Sequence, residues 1–156
     1  MMFTAMRRKD RQLPREEALK ILQEGAYGIL ATLGENGYTY GVPISYAYAD
    51  GKIYFHGTAA ESVKDANIKF HPQVSFTVVG KTEVLPSKFA TKYESAIAFG
   101  TIRKTEDKLP ALRHIIAKYS PDFLDNGEKY AQAAAARVST YVLEIEHLTG
   151  KARYND

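Results

Sequence analysis

Apolar residues recur along this chain with two different periods, and each change of period marks a new element. Residues 14–24 place Ala18, Leu19, Ile21 and Leu22 at helical spacing, with Pro14 and two glutamates at the start and Gly25 just past the end. That combination predicts a helix. Three strand-like runs follow over residues 26–33, 37–48 and 52–57, separated by Gly34-Glu-Asn-Gly37 and Ala49-Asp-Gly51. Glycine beside asparagine or aspartate suits tight turns, so the three runs read as an antiparallel meander. A second helix is predicted over 59–70 and stops ahead of Pro72, because the residue before a proline avoids helical backbone. Residues 73–79, rich in Val, Phe and Thr, return to a strand. Residues 80–92 are weakly patterned and contain Pro86; a loop and a strand extension both fit. Residues 93–104 are strand-like again. Residues 106–119 show helical spacing through Leu109, Leu112, Ile115 and Ile116, and 126–136 ends in four consecutive alanines, which favour helix. The last predicted strand is 138–147.

Six strands result, with one helix between the third and fourth and a helical pair before the last. Without regular strand–helix alternation the strands pair antiparallel, and a small β-barrel with peripheral helices is the economical way to close them. The expected class is therefore mainly β. No repeat and no long linker divides the chain, so 1–156 reads as one domain with a basic N-terminal arm over 1–13.

Composition narrows the chemistry. The 156 residues are 45% hydrophobic and 25% charged, as in ordinary globular chains, and there is no cysteine. That excludes disulfides, thiolate nucleophiles, iron–sulfur clusters and cysteine-bound zinc. No apolar run approaches the length of a membrane span and none follows the first charges as a secretory signal, so the expected setting is cytoplasmic, with no membrane partner. Of the net charge of +3, the first fifteen residues carry +4, through Arg7, Arg8, Lys9, Arg11 and Arg15 against Asp10, which leaves −1 for the rest. A nucleic-acid groove should be positive, so no nucleic-acid partner is expected. The nucleotide-fingerprint, zinc-protease, deaminase, nucleophile-elbow and EF-hand patterns are missing. His56, His71, His114 and His147 fall on different predicted elements without ligand spacing, so no metal site is expected.

One constellation does suggest chemistry. On the second strand Gly41, Pro43, Ser45 and Ala47 share one face while Val42, Ile44, Tyr46 and Tyr48 share the other. The nearly bare face reads either as an ordinary solvent side or as a shelf for a flat ring. Pro43 cannot donate to a ladder and belongs at an edge, where a ligand can meet free backbone groups. The third strand ends in Phe55-His56-Gly57-Thr58 and runs into the second predicted helix, whose start carries Thr58, Ser62 and Lys64. A helix N-terminus with hydroxyls and a lysine can cradle phosphate, and it can equally be a plain N-cap. Pairing of the second and third strands would set shelf and cradle side by side. A flat ring with a phosphate tail describes a mononucleotide.

These residues resemble the flavin-binding split-barrel proteins of the pyridoxamine-phosphate-oxidase superfamily, and within it the nitroimidazole-resistance group. The resemblance rests on Met6-Arg-Arg-Lys-Asp-Arg11, Gly28-Ile-Leu-Ala-Thr32, Val42-Pro-Ile-Ser-Tyr46, Gly51-Lys-Ile-Tyr-Phe-His-Gly57, Lys64, His71-Pro-Gln-Val-Ser-Phe76, Glu94-Ser-Ala-Ile-Ala-Phe-Gly100 and His147-Leu-Thr-Gly-Lys151. Together they span nearly the whole chain in order. The resemblance implies a six-stranded antiparallel Greek-key split barrel and a homodimer with FMN at the subunit interface. It places Val42, Pro43, Ile44 and Ser45 against the flavin ring and His56, Gly57, Thr58, Ser62 and Lys64 along the ribityl-phosphate end. Glu94 and Ser95 are further candidates for the same pocket, and His56 is the expected functional side chain. The basic arm becomes a subunit-crossing element.

The activity so implied is an oxidoreductase that passes electrons from NADH or NADPH through FMN to a small acceptor, a nitro-aromatic being one candidate. Two departures bear on it. The family's Glu-Gly before x-Lys is Glu61-Ser62-Val63-Lys64 here, and the tryptophan-containing tail of the true pyridoxine-phosphate oxidases is absent, since the chain has no Trp. Pyridoxamine-phosphate oxidation itself is not expected. The competing reading is a non-catalytic flavin or haem carrier, with His56 or His71 as a haem ligand.

Overall fold

The computed structural model describes residues 3–155. Met1 and Met2, the first positions of the expected arm, and Asp156 lie outside the described residues. The chain forms β1 (Gln12–Leu13), α1 (Arg15–Glu24), β2 (Gly28–Leu33), β3 (Thr39–Ile44), β4 (Ala47–Ala49), β5 (Lys52–Thr58), α2 (Val63–Phe70), β6 (Gln73–Leu85), β7 (Ala90–Lys104), α3 (Leu109–Tyr119), α4 (Leu124–Ala134) and β8 (Val138–Arg153). All pairings are antiparallel, along the path β3-β2-β6-β7-β8-β5-β4, with β1 added to β8 through Gln12 opposite Lys151.

The two ends of that path, β3 and β4, are neighbours in sequence and are joined only by Ser45 and Tyr46. In a flat sheet six strand spacings would hold them about 29 Å apart. Three backbone steps from Ile44 to Ala47 reach at most about 11 Å. The sheet must therefore roll until its edges meet, and it does so without a ladder between β3 and β4. The result is a split barrel rather than a closed one.

The strand predicted over 37–48 is thus two strands at opposite ends of the path. Only its last part pairs with β5, so the expected side-by-side pairing of the second and third strands does not occur along β3. With the short β1, eight strands stand where six are expected. The Asp50-Gly51 turn behaves as its composition predicts, with φ of 50° and 77° between β4 and β5. Residues 80–92 extend β6 and β7 into a long hairpin around Pro86. β8 runs six residues past the predicted end at 147. Its last inward positions are Leu148, Gly150 and Ala152, small because α1 packs there: a Cβ on Gly150 would meet Ala18 Cβ at 2.7 Å.

Leu30, Ile53, Phe55, Phe76, Tyr141 and Leu143 fill the rolled sheet, joined by Ala18, Ile21 and Leu22 of α1 and Ile68 of α2. A smaller cluster of Leu112, Ala131, Ala134 and Val138 ties α3 and α4 to the outside of β8. Among the described residues no helix is long and apolar enough to cross a membrane.

The joint at residues 45–46 is pinned from both sides. Tyr46 is fully buried, packs edge-on against Phe76 at 4.7 Å, and its hydroxyl donates to the Leu22 carbonyl. Its backbone N–H, which has no strand to bond, donates to the Tyr119 hydroxyl at 3.0 Å, and that hydroxyl donates in turn to the Ala26 carbonyl at 2.6 Å. Lys118 Nζ lies 3.6 Å over the Tyr46 ring and 2.5 Å from the Gly25 carbonyl. Tyr119→Phe removes two of these bonds while keeping the ring, and is expected to lower the unfolding free energy in urea by about 1–2 kcal/mol. Burial pulls the Lys118 ammonium from 10.5 down to about 8. Between those values the unfolded chain keeps a proton that the native protein has released, so the stability contributed here rises with pH. Urea midpoints from pH 7 to 10 should show the wild type gaining on Lys118→Met above pH 8; a constant difference would assign the titration elsewhere.

Candidate functional site

The site begins where the barrel splits. β4 pairs with β5 through Ala47 opposite Tyr54, and there the ladder ends. Continuing its register by two residues would set Ser45 opposite His56, but the chain has turned away to pair with β2. Past Tyr54, β5 bonds on one side only, to β8, and β3 bonds on one side only, to β2. Two strand edges with free backbone donors and acceptors thus flank an opening, with Ser45 at one lip and His56 at the other. Pro43 lies on the edge strand, as its missing N–H requires. Gly41, Pro43 and Ser45 are exposed while Val42 and Ile44 pack against the core, so Val42 and Ile44 can offer a ligand only their backbone; Ala47, expected on the same bare face, is buried because the chain changes edge after Ser45.

His56 is half-buried, and its Nδ1 is wholly buried without a hydrogen-bond partner among the described residues. Burial pushes the imidazole below its ordinary value, so the ring is neutral at pH 7. Alternation along β5 puts His56 on the face opposite Phe55 and Gly57. On Gly57's own face a Cβ would come 3.6 Å from Lys64 Nζ. Lys64 and His56 therefore sit on opposite faces of the end of β5.

Lys64 belongs to a charged cluster that the sequence only partly discloses. Its ammonium lies 4.1 Å from the centroid of the Tyr141 ring and 3.8 Å from Asp65 Oδ1, and its side chain is 11% exposed. Lys104 Nζ reaches the same carboxylate at 3.4 Å, and the Tyr141 hydroxyl donates to it. Burial works to raise the Asp65 pKa, but hydrogen bonds from Tyr141 and Ser62 and the charge of Lys64 prevail and hold the carboxyl at about 2. For Lys64 burial outweighs the attraction of Asp65 and lowers its pKa. Two cations against one anion leave one positive charge at the inner end of β5.

The remaining expected residues fall out differently. α2 begins at Val63, not near 59, because Ser62 and Asp65 form a reciprocal capping box. Thr58 is therefore the exposed last residue of β5 and caps no helix, and the Ser62 hydroxyl is committed to Asp65. Glu94 accepts from the Lys81 N–H at 3.0 Å and the Tyr154 hydroxyl at 2.9 Å, closing the bulge in β6. Glu94 and Ser95 pair with Ala152 and Lys151, whereas His56 pairs with Thr140, so one protomer does not bring them together. The arm lies on its own sheet: Phe3 stacks on His147 at 4.5 Å, and Arg8 forks onto Asp10 at 2.6 and 2.9 Å. Asp65, Lys104 and Tyr141 escape sequence reasoning. The Ser62-x-x-Asp65 spacing is the one local signal for any of them.

A rolled antiparallel sheet whose edges part without a ladder is the architecture of the split-barrel proteins. Residues 14–152 match the model of the family described as pyridoxamine 5'-phosphate oxidase, and the chain belongs to that family. No curated protein matches the chain. Among solved structures it is similar to a protein from Bacteroides thetaiotaomicron provisionally assigned to 5-nitroimidazole antibiotic resistance, with 19% identity, 90% of this chain and 86% of that one covered, and a TM-score of 0.75. The conserved hypothetical protein Rv2991 from Mycobacterium tuberculosis gives 17% identity over 95% and 90% with a TM-score of 0.79. An FAD and haem binding protein from Mycobacterium smegmatis gives 17% identity over 93% and 74% with a TM-score of 0.75. At these identities the likeness establishes the fold.

Asp65→Asn would leave Lys64 and Lys104 without their shared counter-charge. It is expected to cost about 3 kcal/mol of stability in chemical denaturation. The wild-type advantage should fade as pH falls from 3.8 toward about 2, where the native carboxylate is protonated.

Proposed function

We propose that the split holds FMN between two copies of this chain and that the protein is a flavin-dependent oxidoreductase acting on a small acceptor. The observation that carries this reading is the pair of unladdered strand edges, β3 and the end of β5, opening beside His56 and the Lys64–Lys104 cluster. Free backbone groups along Pro43–Ser45 suit the polar rim of a flat ring, and the bare side chains there let it approach. The uncompensated positive charge at Lys64 and Lys104 suits a phosphate. The buried, partnerless Nδ1 of His56 suits a ligand atom that would complete its hydrogen bonding.

Bound there, a flavin would supply two-electron redox chemistry between NADH or NADPH and an acceptor such as a nitro-aromatic. The protein's own part is to hold and to shape. Tyr46, Tyr119 and Lys118 fix the joint that follows Pro43 and carries Ser45, and β8 fixes the strand that carries His56. His56, neutral at pH 7, can donate a hydrogen bond from one ring nitrogen and accept at the other. Asp65 keeps Lys64 and Lys104 oriented, Lys64 in a place where burial disfavours its charge.

The purified protein is expected to show two flavin absorption bands and to release FMN on denaturation. A colourless protein that also refuses added FMN would sink the reading, and a Soret band would replace it with haem carriage. Lys64→Ala should weaken FMN at least tenfold, about 1.4 kcal/mol, in a fluorescence titration. Unchanged affinity would remove the phosphate assignment. His56→Gln should depress steady-state NADH or NADPH oxidation more than it weakens FMN.

A further inference from the structure

We propose that the hydroxyls of Thr140 and Thr105 form a proton relay that links His56 to a solvent-facing cleft on the outer side of the sheet. The proposal rests on the oxidoreductase reading above and deepens it by naming the route of the protons that such a reaction consumes.

His56, Thr140 and Thr105 form one row across three neighbouring strands. His56 stands opposite Thr140 in the register of β5 and β8. The ladder of β7 and β8 ends with Lys104 opposite Tyr141; Thr105, one residue on, faces Thr140 and donates its N–H to the Thr140 carbonyl at 2.9 Å. Phe55 and Tyr141 point into the core, so their neighbours His56 and Thr140 point outward. The two threonine hydroxyls meet at 2.5 Å, which sets Thr105 on that outer face as well. Side chains directly opposed on paired strands have Cβ atoms about 4.5–5.5 Å apart. That brings the Thr140 hydroxyl within reach of the imidazole, directly or through one water.

The hydroxyl pair has a proton to spare. Each hydroxyl carries one donor proton and two acceptor lone pairs. Whichever threonine donates in their mutual bond, the proton of the other is left over, and among the described residues neither side chain has a second partner. Thr140 is buried, so its leftover capacity is not spent on bulk water. At the end of the same row His56 Nδ1 is buried and equally without a partner. The neutral imidazole can take a proton at one nitrogen while it releases one from the other.

The two ends of the row meet different surroundings. Past Tyr54, β5 has no strand on its other side, so His56 borders the opening there. At the far end Thr105 is half-buried and lines a cleft of about 250 Å³ with Tyr54, Lys52, Arg103, Glu106 and Asp107. Glu106 and Asp107 are exposed, and carboxylates exchange protons with water. Each hydride that NADH or NADPH delivers to a neutral acceptor must be matched by one proton, and a ligand that fills the opening shuts water out on that side. The row supplies the proton from the other side. His56 gives a proton to the acceptor, Thr140 passes its hydroxyl proton to the imidazole, Thr105 replaces it, and water in the cleft restores Thr105. Every group of the chain ends as it began, and the net transfer is one proton from solvent.

The relay is testable without bound flavin. In the cofactor-free protein carrying isotope-labelled histidine, exchange of the His56 ring N–H with water is measured by nuclear magnetic resonance, with His56→Gln identifying the signal. Thr140→Val and Thr105→Val each remove one hydroxyl and keep nearly the same shape. Each should slow that exchange roughly tenfold or more, and Thr140→Ser should restore it. In the flavin-loaded protein each valine variant should lower NADH or NADPH oxidation and raise its solvent deuterium isotope effect. FMN affinity should not change, because Lys64 and Lys104 lie with the Tyr141 ring on the opposite face. Exchange that is unchanged in both valine variants overturns the relay and leaves the flavin reading standing. Slowing by Thr140→Val alone removes Thr105 from the path and overturns it too. A protein that refuses FMN yet shows both effects on exchange loses the flavin reading and keeps the relay.

Discussion

Ser45 and Tyr46 span no more than about 11 Å, and they join two edges that a flat sheet would hold nearly three times as far apart. The curvature of the sheet, its enclosed core and the opening along its side all follow from that short joint. Because the joint has no strand partner, its polar groups need substitutes. The Tyr119 hydroxyl supplies one, accepting from the Tyr46 N–H and donating to Ala26. The Tyr46 hydroxyl secures the ring beneath α1. α3 is thereby coupled to the barrel through the end of one helix, and the shelf at Pro43–Ser45 takes its position from the same contacts.

The opening carries charge in an unusual arrangement. A carboxylate that is almost fully buried stands between two lysines, one nearly buried and one half-exposed. Removing charges from water is costly, and such a cluster adds less to stability than its close distances suggest. Its usefulness lies in holding two ammonium groups at a fixed place with one positive charge uncompensated. His56 presents the complementary case on the other face of β5: a neutral ring with one buried nitrogen left over. Both features cost free energy in the isolated chain and suit a polar ligand that reaches past the end of the strand.

The other faces of the sheet are managed in different ways. Helices cover the inside and the outside of β4, β5 and β8, while the outside of β6 and β7 is left to side chains such as Thr77, Val79, Ile97 and Phe99. Phe89 projects exposed from the hairpin end of this face, and a cleft lined partly by Ala31, Leu33, Val74 and Phe99 lies toward its other end. In the isolated chain that cleft is only partly sheltered, by Phe3 of the arm.

Local sequence determined most of the elements, because period, turn chemistry and proline act over a few residues. The Asp50-Gly51 turn, the helix before Gly25 and the edge position of Pro43 were all legible for that reason. The exposure of Gly41, Pro43 and Ser45 was legible too, but Ala47, which alternation groups with them, is buried at the start of β4. What the sequence left open depends on partners distant in the chain. The strand over 37–48 reads as one continuous run, and only the rolled sheet decides that its halves serve opposite edges. The end of β8 reads as non-strand because Gly150 and Ala152 are small, and they are small because α1 lies against them. A helix starting at 59 makes Thr58 its cap, and only the reciprocal box of Ser62 and Asp65 moves the start to Val63. Asp65, Lys104 and Tyr141 lie up to 76 residues apart and meet only because β5, α2 and the two longest strands converge at one end of the barrel. Periodicity tells each side chain which way to face, and tertiary structure alone decides what it finds there.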